Sequence, residues 1–182
     1  SVPLWLPPPQ TANYASIPWG THTVTLARTS GGAVVAQYDI TLDAIQDRTF
    51  YASGVGGFFP IATLDDNVAP TPGTIRLRVA NVTSSIGSVD VFITPQNADL
   101  ATATPVATGV ASSNTSPYFA IAPGTWQVRA VRNGVAPAAR AANVVFNLSD
   151  QTWERGGRTI VVAELVAGNG GALGRGVILA DQ

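Results

Sequence analysis

Tyr118-Phe119-Ala120-Ile121-Ala122-Pro123-Gly124-Thr125-Trp126-Gln127-Val128-Arg129-Ala130-Val131-Arg132 is a turn followed by a strand, and the chain carries the same phrase earlier. The earlier copy reads Tyr14-Ala15-Ser16-Ile17-Pro18-Trp19-Gly20-Thr21-His22-Thr23-Val24-Thr25-Leu26-Ala27-Arg28. Tyr, Ile, Gly, Thr, Val and Arg recur in register across the two. In the later copy, Pro123 and Gly124 occupy the second and third positions of a type II turn; the earlier copy, with Pro one place back, suits a type I turn ending on Gly20. After each turn the residues alternate. Trp126, Val128 and Ala130 share one face of one strand, and His22, Val24 and Leu26 share one face of the other, which is the period of a half-buried β-strand.

The same period of two runs outward in both directions. Strands are expected over Thr21–Arg28, Val34–Leu42, Thr49–Val55 and Phe59–Leu64, with Ser30-Gly31-Gly32 turning the first pair. After the stiff segment Asn67-Val68-Ala69-Pro70-Thr71-Pro72-Gly73 come Thr74–Ala80, Ser88–Ile93 and Pro105–Val110, then the quoted phrase. Val144, Phe146 and Leu148 are matched with Tyr38, Ile40 and Leu42, and Thr159–Leu165 with Thr49–Val55; the closing Gly176–Asp181 resembles Pro60–Asp65. No segment keeps a helical period. The chain therefore reads as an all-β protein of two sandwich units in tandem, over residues 11–66 and 74–182, joined by a linker at 67–73 and preceded by an arm at 1–10.

The two units are unequal. Superposing the repeated phrases sets Ser1 against Pro105, so the first unit has no counterpart of Thr74–Thr104, the stretch that holds the second unit's two opening strands. A sandwich short of two strands exposes apolar side chains and unpaired backbone groups, which invites a strand from another chain. The arm Ser1–Gln10 alternates Val2, Leu4 and Leu6 around Trp5 before three consecutive prolines, so Val2, Leu4, Trp5 and Leu6 are the expected subunit contact.

Composition bounds the rest. A chain of 182 residues with 46% hydrophobic and 12% charged residues can bury a large core, and a formal net charge of -1 gives no reason to expect nucleic acid as a partner. Its 10 basic residues are all Arg; Met and Cys are absent. The missing Met suggests processing, most simply removal of a secretory signal, and with it an extracellular or cell-surface location. Without Cys the fold uses neither disulfides nor thiolate metal sites, and no stretch is long and apolar enough to span a bilayer as a helix.

The segments Thr74–Asn81 and Ser88–Ile93, the turn Ala122-Pro123-Gly124-Thr125-Trp126 and the closing strand resemble the domain-of-unknown-function family 4397. In that family a basic alternating strand, a Val-Asp-Val strand and a Pro-Ala-Gly-Thr turn follow one another. The resemblance covers residues 74–182, with residues 11–66 as a partial copy that lacks the family's opening strands. It implies an immunoglobulin-like sandwich in an exported protein, often in tandem, and supplies no catalytic residues.

Candidate chemistry is thin. His22 is the single histidine and lies on an apolar strand face, with no thiolate available to complete a zinc site and no recognisable base for a nucleophilic Ser. Asp43 with Asp47, and Asp65 with Asp66, offer hard oxygens for Ca²⁺ but lack the rest of a ligand loop. Glycine pairs fall between strands and make no phosphate cradle. Arg76 and Arg78 are expected to pair with Asp90 across neighbouring strands. Asn81, Asn114 and Asn147 head N-glycosylation triplets. Trp5, Trp19 and Trp153 fall in the arm, a turn and a loop, where aromatics serve interfaces or stack on sugars. The function expected is a non-enzymatic exported structural protein, needing no cofactor or metal, that assembles with copies of itself into a filament or surface layer by strand complementation. The alternative is a cell-surface adhesion or polysaccharide-binding module.

Overall fold

The computed structural model describes residues 16–28, 30–43, 47–51, 61–65, 68–166 and 172–181. Two hairpins come first. β1 (Gly20–Ala27) pairs antiparallel with β2 (Val34–Leu42), and β3 (Asp47–Tyr51) with β4 (Ile61–Asp65). Among the described residues no ladder joins these hairpins to each other or to the strands that follow.

The remainder folds as a β-sandwich. One sheet runs β11 (Val144–Trp153), β10 (Gly124–Arg132), β6 (Val89–Thr94), β7 (Ala107–Val110). The other runs β13 (Ala172–Asp181), β12 (Gly157–Val166), β5 (Ile75–Asn81), with β8 (Asn114–Thr115) and β9 (Phe119–Ile121) both on the far side of β5. The β5–β12 ladder is parallel, while the others are antiparallel. Between the sheets, Ile75, Leu77, Val79, Ile160 and Val162 meet Val89, Val91, Val128, Ala130 and Phe146. These are the inward positions that alternation assigns, and each large aliphatic chain so buried contributes about 1.5–3 kcal/mol.

Both outer faces are also covered in part, which alternation does not anticipate. Over the first sheet, Phe92 and Val131 pack with Leu100 of the loop after β6. That loop is clasped by Arg129, whose guanidinium donates to Thr94 Oγ1 (2.8 Å) and to the Ala98 carbonyl (2.7 Å). Arg140, on the 3-10 helix Pro137–Asn143, donates to the carbonyls of Leu100 and Ala103. Over the second sheet, Ala80, Val82 and Val161 pack against Tyr51 of β3, with Ala163, Val177 and Leu179 at the margin. The end of β3 thus rests on the sandwich through Tyr51.

Three sequence expectations are corrected by the ladders. Arg76 and Arg78 do not face Asp90, because β5 and β6 lie in different sheets. Their guanidiniums stack on the Tyr118 ring, 3.8 and 4.9 Å from its centroid, and Asp90 accepts from the Gly109 N–H and Asn133 Nδ2. The match of β2 with β11 is displaced by four residues: Leu148 lies opposite Val128 as Tyr38 lies opposite Val24. An even slip leaves every side chain on its own face, so period alone cannot detect it; the connection between β10 and β11 is longer and holds the 3-10 helix. Trp153 is not in a loop. It ends β11 in the core at 5% exposure, opposite Gly124, as Leu42 ends β2 opposite Gly20.

Candidate functional site

The repeated turn builds the same local structure twice. His22 Nε2 lies 2.6 Å from the Pro18 carbonyl, and Trp126 Nε1 donates to the Ala122 carbonyl at 3.2 Å, each reaching back four residues. Gly20 and Gly124 follow at φ +126° and +154°, a backbone that glycine enters without the steric cost of a Cβ. Thr21 then meets Thr41 across the hairpin as Thr125 meets Thr152. His22 therefore serves the turn.

Where the two strands part company is at their second edge. In the sandwich, β10 is flanked by β11 on one side and β6 on the other. β1 has β2 on one side and no ladder partner among the described residues on the other. The backbone phase can be assigned. Arg28 N–H donates to the Ala33 carbonyl at 2.8 Å, so the even-numbered residues of β1 point their backbone groups at β2. Thr21, Thr23, Thr25 and Ala27 point theirs to the open side. Their counterparts Gln127, Arg129 and Val131 lie opposite Thr94, Phe92 and Asp90 of β6.

The inner face of this hairpin is correspondingly thin in cover. His22, Val24, Leu26, Ala36 and Ile40 are half-buried, whereas Val34 is 57% and Tyr38 46% exposed. The equivalent Val128, Ala130 and Phe146 are buried. The outer face of the hairpin is tied by Thr23 Oγ1 donating to Asp39 Oδ1 (2.6 Å) and Gln37 Nε2 donating to Thr25 Oγ1 (3.4 Å). β1 itself carries no charged residue and no proline.

The other residues singled out in the sequence are dispersed. Val2, Leu4, Trp5 and Leu6 lie outside the described residues, as does Asp66. Asp43 is exposed beyond β2; Asp47 and Asp65 stand opposite one another on the β3–β4 ladder. Among the described residues there is no group of three or more His, Cys, Asp or Glu that could hold a metal ion. Trp19 is 78% exposed at the first turn. A groove of about 460 Å³ runs along the side of the sandwich between β7 and β8–β9, past Gly109, Asn114 and Tyr118.

Asn114 and Asn147 are exposed, the latter accepting from Gln127 Nε2 through its Oδ1. Asn81 is fully buried. Its Nδ2 donates to the carbonyls of Gly87 and Val110, and its Oδ1 accepts from the N–H and hydroxyl of Thr83. A nitrogen with both hydrogens committed inside the protein has no room for a sugar, so Asn81 is removed as an acceptor in the folded chain. Any glycan on the native protein is expected at Asn114 or Asn147, and peptide mass spectrometry that located one on Asn81 would contradict this geometry.

Sequence reasoning missed the Arg129 clasp. Burial pushes the Arg129 guanidinium below its usual pKa, with Asp99 acting in the opposite direction. The available signal was Phe92, a large apolar residue in the outward phase of β6, which requires something to cover that face.

The class these features define is an all-β sandwich protein with an added pair of two-stranded hairpins, neither of which ladders to a further strand among the described residues. Residues 5–92 match the family described as Domain of unknown function (DUF4397). The match begins ahead of the first turn and ends at Phe92 within β6, so it straddles the 67–73 segment. It overlaps the 74–182 span on which the resemblance is drawn from the sequence only over residues 74–92, and takes in the 11–66 stretch read there as a partial copy. No curated protein matches the chain.

Proposed function

We propose that the protein is an exported structural subunit that assembles with copies of itself, into a filament or surface layer, by strand addition at the first hairpin. The single observation carrying this reading is the β1 edge: its counterpart β10 has β6 on the same side, and β1 has no ladder partner there among the described residues. Strand addition at such an edge gives affinity through the backbone ladder and through burial of the half-covered inner face, here Val24, Leu26 and Tyr38. In this reading residues 11–66 form an immunoglobulin-like unit completed in trans, and the arm at 1–10 is a further contact between subunits.

Sedimentation velocity of the native protein over a range of concentrations, with negative-stain electron microscopy of the same samples, tests the proposal. Concentration-dependent oligomers and ordered assemblies are expected. A monomer at every concentration would overturn it. Exposed Trp19 favours one second reading, a polysaccharide-binding or adhesion module. Saturable glycan binding by a dispersed monomer, lost in Trp19→Ala, would select that reading instead.

A further inference from the structure

We infer that the strand meeting β1 is β1 of a second copy, antiparallel about a two-fold axis at Val24. This rests on the assembly reading above and names the partner at the same edge. Three observations carry it.

The first is that the edge lacks the devices that keep strands apart. Natural sheets blunt their edges with charges, prolines, bulges or short strands. Several edge strands of the sandwich are so treated, although ten-residue β13, which carries Arg175 and Asp181, pairs regularly with β12. β7 has four residues and a Gly109 N–H taken by the Asp90 carboxylate, β8 has two residues and β9 three, and β11 is irregular against β10 at two places. β1 runs for eight residues, Gly-Thr-His-Thr-Val-Thr-Leu-Ala, with its one irregularity, at Leu26/Ala27, in its register with β2.

The second is that β1 complements itself. With Val24 on the axis, Thr23 lies opposite Thr25 of the other copy and Thr21 opposite Ala27. All are residues whose backbone groups point to the open side. Arg28 falls opposite Gly20, so no like charges meet. On the inner face Val24 meets Val24 and His22 meets Leu26, which extends the half-buried surface of one hairpin into that of the next. The result is a continuous four-stranded sheet with β2 on each flank.

The third is that the chain's own arm is the wrong occupant. In β6 the Val91 carbonyl accepts from the N–H of Val106, the residue just ahead of β7, so Asp90, Phe92 and Thr94 are the residues that face β10. An arm taking the place of β6 with Val2, Leu4 and Leu6 inward would turn Pro3, Trp5 and Pro7 towards β1. Two of those three have no N–H to donate.

Because this contact is isologous it closes at two copies, and a filament would be built from such pairs through a different surface. The test uses the full chain, which contains no cysteine. Val24→Cys places two thiols at a non-hydrogen-bonded pair, where Cα atoms sit about 4.5 Å apart. Mild oxidation should then give a covalent dimer, while the exposed Val35→Cys on β2 should not. Thr25→Pro removes an N–H that points away from β2, so it should keep the circular dichroism of the wild type and lose the dimer in sedimentation. If the wild type assembles but Val24→Cys stays uncross-linked and Thr25→Pro still assembles, the β1 pairing is overturned and the assembly reading survives. Equal cross-linking at Val24 and Val35 also overturns it. A wild type that never leaves the monomer removes both.

Discussion

Replacing Asn81 by alanine is expected to destabilise the sandwich by about 3–5 kcal/mol, the largest effect of any single polar substitution we anticipate. The reason is the number of partners stranded at once. Asn81 is fully buried, and its amide satisfies the carbonyls of Gly87 and Val110 and the N–H and hydroxyl of Thr83. These bonds tie the end of β5 to the turn before β6 and to the end of β7, so one side chain closes the top of the core. A buried group left without a partner costs about 1–3 kcal/mol; alanine leaves four such groups, and local relaxation with water entry recovers part of the sum. Asn81→Asp tests the mechanism further. It keeps the shape and the oxygen that accepts both Thr83 bonds but removes the two donors, and it buries a charge, so it should be at least as damaging at neutral pH. Urea denaturation followed by tryptophan fluorescence gives the measurement. A midpoint within error of the wild type for both variants would show that the network contributes little.

The second large effect is steric. Gly176 of β13 lies where a Cβ would stand 2.7 and 2.8 Å from Phe146 ring carbons and 2.8 Å from Leu148 Cδ1. β13 belongs to one sheet and β11 to the other, so at Gly176 the backbone of one sheet lies directly against side chains of the other. The Phe146 ring is 5% exposed and held in the core, so it cannot swing clear as a flexible surface chain would. Gly176→Ala should therefore lower stability by about 1–3 kcal/mol through overpacking. A larger residue such as Val should prevent the sandwich from closing. Pairing the change with Phe146→Leu is the decisive cycle. Recovery of part of the loss in the double variant shows that the clash is with that ring; strict additivity would show that Gly176 acts through backbone freedom alone.

Much of the architecture is legible in the sequence because alternation is a local property. The inward residues of β5, β6, β10 and β12 are the ones the period selects. The repeated turn is legible too: the aligned positions His22 and Trp126 make the same bond to the fourth residue back, although nothing in the side-chain types announces it. What escapes is set by partners distant in the chain. Consecutive β5 and β6 part into different sheets, which no local pattern encodes, and so Arg76 and Arg78 find Tyr118 in place of Asp90. Trp153 looks like a loop residue because polar Ser149-Asp150-Gln151-Thr152 precedes it, yet the ladder carries it into the core. The contrast between β10, laddered on both sides, and β1, laddered only to β2 among the described residues, is visible only when the two copies of the turn are compared.

One property of the parallel β5–β12 ladder bears on how the sandwich carries load. Arg76 lies beside Gly157, and Gly157 beside Asp181. The chain thus enters on β5 and leaves on β13 at the same end of one sheet, about two strand spacings or ~10 Å apart. Pulled by those two points, the sandwich presents β13 for peeling from β12 one residue pair at a time, starting at Asp181 and Gly157. Ladders loaded in that way open bond by bond, whereas a pair pulled along its length must break all of its bonds together. Under such a pull the body of the sandwich would hang to one side of the line joining the two points, so it would add mass and surface without adding reach.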